Sequence, residues 1–406
     1  MATLSERILG GPAGTYVDAL VDRAFAHDGT GVLTREAFCE MGCDAVKNPE
    51  RTYIFFDHIA PANNTTTATL QAELRSFARA KGLNFSDVGR GICHQLLAEG
   101  VVLPGEVVVG ADSHTCTLGA FGAFATGVGA TDMAAIWASG GTWFRVPETI
   151  AIRLAGEFAG AAEAKDLALA YVRDLGMDGA NYRALEFIGE GVRGIPMAGR
   201  LTCSNMAVEA GAKAGLFYAD SETVGYLAGF NLAAEPQVPE RCTYAKELSI
   251  DLADLPPLIA SHHRVDRVQE VAALEGTHLD EVFVGTCTNG RLADLERLAR
   301  ILKGKEVKVR TIVVPASQRT LTEATRKGIV EILLSAGCIV GIPGCGPCLG
   351  AHMGVIGEGE VCLSTANRNF TNRMGVGGDI LLSSVATAGV SALRGEVTVP
   401  EAADVR

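Results

Sequence analysis

The chain has 406 residues, enough for two or three domains, and with 48% of them apolar and 20% charged it belongs to the globular class and not the disordered one. A formal charge of −12 excludes phosphate-backbone binding as the main business, because that affinity comes from Lys and Arg neutralising phosphates, so no nucleic-acid partner is expected. The opening residues carry charges and no apolar run, and eleven cysteines in an odd, irregular spread fit a reducing cytoplasm better than a secreted disulfide scaffold.

Short β-branched runs alternate with amphipathic stretches along the chain, which predicts α/β layers. Thr69–Lys81 is predicted helical and Val107–Gly110 a buried strand. Residues 117–144 are apolar, yet Asp132 and many glycines interrupt them, so a buried glycine-rich helix and loop is expected and no membrane span. Further on, Leu292–Leu302, Val307–Val314 and Gln318–Ala336 are predicted as helix, strand and helix. Seams near Arg145–Thr149 and Leu255–Arg264, where prolines interrupt the periodicity, divide the chain into three α/β domains at 1–146, 147–263 and 264–406. The 127–129 glycines form no GxGxxG, so the dinucleotide fingerprint is absent.

Two segments place cysteine in glycine-rich, turn-forming sequence: Val284-Gly-Thr-Cys287-Thr-Asn-Gly-Arg291 and Ile342-Pro-Gly-Cys345-Gly-Pro-Cys348-Leu-Gly350. A dithiol redox centre, a zinc site and plain core cysteines compete for this pattern, although zinc lacks a fourth ligand at finger-like spacing. Three thiolates also suit a cubane iron–sulfur cluster with one iron left free of protein, which serves a dehydratase as Lewis acid and gives an electron carrier nothing. Cys39, Cys43, Cys93, Cys116, Cys203, Cys242, Cys338 and Cys362 are read as buried, inert core residues.

Other loops mix acid, imidazole and guanidinium: Asp57-His58, His94, Asp112-Ser113-His114, Asn205 with Glu209, and Arg368 with Arg373. Asp112 to His114 follow an apolar run directly, where loops at strand carboxyl ends build ligand sites. Two guanidiniums five residues apart suit a bidentate grip on carboxylates, with surface salt bridges as the bland reading. His262, His263, His278 and His352 sit in no motif and are read as ordinary.

Together with His27-Asp-Gly-Thr-Gly31, Gly91-Ile-Cys-His94-Gln, Ser204-Asn-Met-Ala-Val-Glu209 and Thr365-Ala-Asn-Arg-Asn-Phe370, these segments run in family order through most of the chain. They resemble the aconitase superfamily, and within it the large subunits of two-chain 3-isopropylmalate dehydratases and homoaconitases. The resemblance implies three α/β domains around a [4Fe-4S] cluster held by Cys287, Cys345 and Cys348 in the third domain. It implies that His58, paired with Asp57, protonates departing hydroxide, that Asp112 pairs with His94 and His114 with Glu209, and that Arg368 and Arg373 clamp substrate carboxylates beside His27, Ser113 and Asn205.

Single-chain aconitases carry a further swivelling domain with a serine base, for which this chain has no room. A separate small subunit is therefore expected to supply it, making a heterodimer. The expected reaction is dehydration and rehydration of a substituted malate, a small di- or tricarboxylate. 3-Isopropylmalate in leucine biosynthesis comes first, homoaconitase or another substituted-malate hydratase second, and an iron–sulfur electron carrier or iron sensor is the minor alternative.

Overall fold

The computed structural model describes residues 2–239 and 242–405. Its strands are β1 (Tyr16–Leu20), β2 (Arg23–His27), β3 (Thr52–Phe55), β4 (Asn84–Ser86), β5 (Val107–Gly110), β6 (Phe124–Gly127), β7 (Gly141–Arg145), β8 (Thr149–Ala155) and β9 (Ala184–Ile188). There follow β10 (Ala214–Phe217), β11 (Lys246–Asp251), β12 (Leu258–Ala260), β13 (Val268–Glu270), β14 (Glu281–Val284), β15 (Arg310–Val313), β16 (Ile339–Val340), β17 (Val361–Ser364) and β18 (Asp379–Ser383).

These strands make three layered sheets and a ribbon. The first sheet is ordered β4-β3-β2-β5-β6 and the second β10-β9-β8-β11, each wholly parallel. The third runs β13-β12-β18-β17-β14-β15-β16 and is parallel except where β12 meets β13 and β18. β1 and β7 form a separate antiparallel pair. Parallel strands covered on both faces need apolar side chains on both, which is why Val107-Val-Val and Val282-Phe-Val read as unbroken apolar runs and are buried throughout. One apolar core joins the sheets, running from Phe25 and Leu118 through Tyr171 and Phe187 to Phe283 and Leu382.

The parallel arrangement decides where chemistry can sit. Adjacent parallel strands deliver their following loops to the same end of a sheet, where ligand sites of α/β folds form. β3, β2 and β5 are neighbours; Asp57-His58, Asp28 and Asp112–His114 lie in the loops after them, and His27 is the last residue of β2. In the third sheet β14 and β17 are neighbours, followed by Cys287 and by Asn367-Arg368. The second sheet approaches closely: a Cβ on Gly119 would stand 2.1 Å from the Gly215 carbonyl oxygen, so only glycine lets the Ser113–Phe121 turn pack on β10.

Several expected elements are corrected. The helix begins at Thr65, not Thr69, because the Asn64 side chain caps it by accepting from Thr67 N–H. Gln318–Ala336 is two helices, Gln318–Arg326 and Ile329–Ser335, broken at Gly328, whose φ of 73° no helix accommodates. The strand expected over Val307–Val314 is confined to Arg310–Val313. Residues 117–144 hold β6 and β7 as well as the helix Ala130–Ser139. Cys39 is exposed and Cys43 and Cys242 half-buried, so these three are not core residues. No helix among the described residues is long and apolar enough to cross a membrane.

Candidate active site

Asp112 is the hub of the site. It ends the extended backbone after β5 and caps the Ser113–Phe121 turn, accepting from His114 N–H at 2.7 Å. Its Oδ1 lies 3.0 Å from His94 Nε2 and its Oδ2 3.3 Å from His58 Nε2 and 3.6 Å from His27 Nε2. Burial favours the neutral acid, but the charge of His94 and the hydrogen bonds of His58 and His94 outweigh it and hold Asp112 well below the usual carboxylate range.

His58 is clamped between two acids. Its Nδ1 stands 2.7 Å from Asp57 Oδ1 while Nε2 faces Asp112, so both ring nitrogens must donate and the ring is an imidazolium. Burial opposes that charge, yet Cys345, Asp57 and Asp112 together raise His58 well above the ordinary imidazole value. Asp57 is fully buried and accepts from Cys93 N–H at 2.6 Å. His94 is likewise raised to about 10, burial being overcome by Asp112.

His114 is the opposite case. Its Nε2 bonds Glu209 Oε1 at 2.8 Å and its Nδ1 faces the Ser113 hydroxyl at 3.4 Å, which satisfies a neutral ring. Burial and the neighbouring Arg368 guanidinium lower it to about 4 despite Glu209. Buried histidines with opposite protonation thus stand side by side around Asp112, His94 and His114 lying 6.4 Å apart between ring centres. His27 stacks on His58 at 3.7 Å between ring centres and accepts from Gly29 N–H through Nδ1.

The three motif cysteines are buried, free thiols with 5%, 4% and 5% exposure at Cys287, Cys345 and Cys348. Gly346, in left-handed backbone at φ 56°, makes the turn between the last two. Cys345 N–H donates to the Asp57 carbonyl at 2.8 Å, which ties this turn to the acid–imidazole loop. Side-chain donors approach two of the sulfurs: Asn205 Nδ2 at 3.1 Å and Asn367 Nδ2 at 3.5 Å from Cys287 Sγ, and Arg373 Nη2 at 3.9 Å from Cys348 Sγ. Burial would raise the Cys287 thiol, but His94 and Asn205 bring it below the ordinary value. Burial raises the Cys345 and Cys348 thiols, so Cys287 alone is drawn toward thiolate by its own neighbours, and a bound metal would ionise the other two.

Arg368 donates through Nε to Glu209 Oε1 at 2.8 Å and through Nη1 to Ser113 Oγ at 3.1 Å. Arg373 is anchored by Nε to the Cys348 carbonyl at 3.0 Å. Neither is a surface salt bridge. All fourteen residues singled out in the sequence therefore fall in one connected region, reached from all three layered sheets.

Residues 5–275 and 261–395 match the aconitase family (aconitate hydratase). The chain belongs to the aconitase family. It is 54% identical over 386 residues to a probable methanogen homoaconitase large subunit of Methanosarcina mazei, covering 94% of this chain and 98% of that protein. It is 46% identical over 413 residues to the 3-isopropylmalate dehydratase large subunit of Elusimicrobium minutum, covering 98% of each. The crystal structure of Thermococcus kodakaraensis aconitase X in its holo form superposes with a TM-score of 0.54 at 14% identity, over 87% of this chain and 84% of that one, a likeness of fold.

Within this aconitase-family chain, sequence reasoning passed over three groups that the geometry brings in. Asp28 accepts from the backbone of His58 and Ile59 and from Gln71, fixing the His58 loop. Asn367 joins Asn205 Oδ1 to Cys287 Sγ, and Arg291 binds the Cys287 turn from behind. Only their position beside matched motifs pointed to them. Ligand-type atoms of His27, Asp28, Asp57 and His58 lie within 4.8 Å of one another, but backbone and ring donors already occupy both carboxylates, so the group balances charge internally.

Proposed function

We propose that this chain is the large, cluster-bearing subunit of a hydro-lyase that isomerises a substituted malate by dehydration and rehydration. The observation that carries the reading is the meeting, in one connected region, of three buried thiols, two of them within reach of side-chain donors, with His58 held between two acids, the neutral His114 and two anchored arginines. The residues present fit a [4Fe-4S] cluster on Cys287, Cys345 and Cys348. When bound, it supplies an iron without a protein thiolate, a Lewis acid for the substrate hydroxyl.

The chain's own groups do the rest. Arg368 and Arg373 each keep guanidinium donors beyond the anchoring bonds for a substrate carboxylate, with Ser113 beside the first and His27 beside His58. His58, charged between Asp57 and Asp112, gives a proton to the departing hydroxide, and His94 keeps Asp112 ionised. His114 with Glu209, beside Arg368, accepts or returns a proton, and Asn205 steadies the Cys287 sulfur.

Removing a proton from carbon needs a further base, which we assign to a serine on the swivelling domain of a small subunit; the large-subunit names of the relatives support such a partner. For substrate, 3-isopropylmalate, hence leucine biosynthesis, stands first. The 54% identity to a probable homoaconitase large subunit favours a longer tricarboxylate as the second reading. All eleven cysteines are free, which suits a reducing compartment, and we place the protein in the cytoplasm.

The test is co-expression with the small subunit, anaerobic reconstitution, and turnover of 3-isopropylmalate, homocitrate and methylmalates. Isomerisation of one substituted malate, nearly abolished without the small subunit, is the expected result. Full-rate turnover by the large subunit alone would place the base within this chain and overturn the division of labour.

A further inference from the structure

The turn that carries Cys287 is held in an unfavourable backbone conformation. Thr286 has φ 72°, the left-handed region that a β-branched side chain resists, and the single helical turn Thr286–Asn289 follows at once. Such a conformation persists only where its surroundings over-determine it. Locally, Thr286 Oγ1 accepts from Thr288 N–H at 3.1 Å, and Asn289 N–H donates to the Gly285 carbonyl at 3.2 Å.

The larger constraint is Arg291, only 6% exposed. Its Nη2 donates to the Cys287 carbonyl, and its Nη1 donates to the Thr288 carbonyl at 2.6 Å and reaches Thr202 Oγ1 and the Ala198 carbonyl at 3.3 Å. Its Nε donates to Gln95 Oε1 at 3.1 Å. Among the described residues no acceptor of this buried guanidinium is a carboxylate, although Asp294 is close in sequence. That acid instead accepts from Arg291 N–H and Asn289 Nδ2. Asp294 offsets the charge of this cation through space, while the hydrogen bonds of the guanidinium go to carbonyls and neutral side chains, a costly arrangement for packing alone.

The partners place it. Gln95 follows His94 on the Cys93–Ala98 helix, and Thr202 lies three residues before Asn205, the donor to Cys287 Sγ, on the Met197–Met206 helix. Arg291 therefore fastens the Cys287 backbone to the two elements that present His94 and Asn205.

We propose that Arg291 is a positioning residue that preforms the Cys287 turn, holding its strained backbone by the carbonyls of Cys287 and Thr288 so that the sulfur faces Asn205 and Asn367 before any ligand arrives. What the sulfur then binds rests on the function proposed above; the preformed turn does not. A lysine, with three donors on one atom, cannot span the same acceptors.

The experiment uses the full chain, first as apoprotein and then reconstituted with its small subunit, as wild type, R291K and R291Q. In the apoprotein, iodoacetamide labelling is followed at Cys287 and at Cys362, which lies buried in β17 and reports general opening. Labelling of Cys287 should rise tenfold or more in R291Q with Cys362 unchanged, R291K falling between. In the reconstituted complex, iron loss in air should quicken in the same order. Parallel labelling of both cysteines, or no change at either, overturns the proposal.

Should R291Q fail to fold, hydrogen exchange in the wild-type apoprotein decides. Protected Thr288 and Asn289 amides support a preformed turn, and exchange at open-loop rates overturns it. Failure of the cluster reading looks different, because wild type then takes up no iron while the labelling contrast persists.

Discussion

His94 Nε2 lies 3.0 Å from Asp112 Oδ1, and through that contact the imidazole is drawn up to about 10 while the carboxylate is pushed far down. The same carboxylate faces His58, so one anion sustains two cationic rings. Replacing Asp112 by Asn removes the charge and leaves one accepting atom where two served. D112N should lower kcat by roughly 10²- to 10⁴-fold, the usual worth of a positioned acid–base group, with little change in iron content. It should also move the alkaline limb of the pH–rate profile to lower pH. A profile with an unshifted limb would remove Asp112 from control of these rings.

The depressed His114 has a consequence for the apoprotein. Its folded value of about 4 lies below the ordinary 6.5, so between those values the unfolded chain binds more protons. Its contribution to stability is therefore complete above about pH 6.5 and is lost as pH falls through about 4, amounting to at most about 3 kcal/mol. Urea midpoints measured between pH 7 and 4 should fall, and His114→Gln should flatten the slope. Equal slopes in both proteins would show that His114 titrates normally.

Arg373 is fixed by its Nε bond to the Cys348 carbonyl and reaches Cys348 Sγ at 3.9 Å through Nη2, which leaves Nη1 of a planar guanidinium for a carboxylate. Arg373→Lys keeps the charge and loses the fork. KM should rise by tenfold or more, equivalent to about 1.4 kcal/mol, at unchanged iron content. Iron loss alongside the KM change would mean that Arg373 serves Cys348 as much as the substrate.

What the sequence made legible follows from where each signal is local. β5 and the helix Leu292–Leu302 appear as expected, one a pure apolar run and the other an amphipathic stretch ended by Lys303. β6 and β7 were hidden because short runs beside glycines carry no alternation to separate strand from loop. The break at Gly328 was visible as a glycine but was overridden by flanking helical periodicity. In the site, the acid–imidazole pairs and the CxxC sit in contiguous motifs. Asp28, Asn367 and Arg291 act on residues distant in sequence or on backbone carbonyls, and no spacing rule encodes that.

The cysteines separate cleanly. Cys345 is bound into the turn beside Asp57, whereas Cys362 sits in β17 with its sulfur 3.7 Å from Glu281 Oε1. After anaerobic reconstitution wild type should carry about four irons and four sulfides per chain, Cys345→Ser almost none, and Cys362→Ser the wild-type content. Stoichiometric zinc in protein purified without air would contradict the assignment.

The most direct measurement follows hydratase turnover of the two-subunit complex while the iron that lacks a thiolate is withdrawn and then restored. Turnover should fall to near zero as that iron leaves and return when ferrous iron is added back, with absorbance tracking both changes, if the chain is a cluster-dependent hydro-lyase. Turnover that persists in iron-free protein, or a protein that merely changes colour on reduction and hydrates nothing, would contradict it.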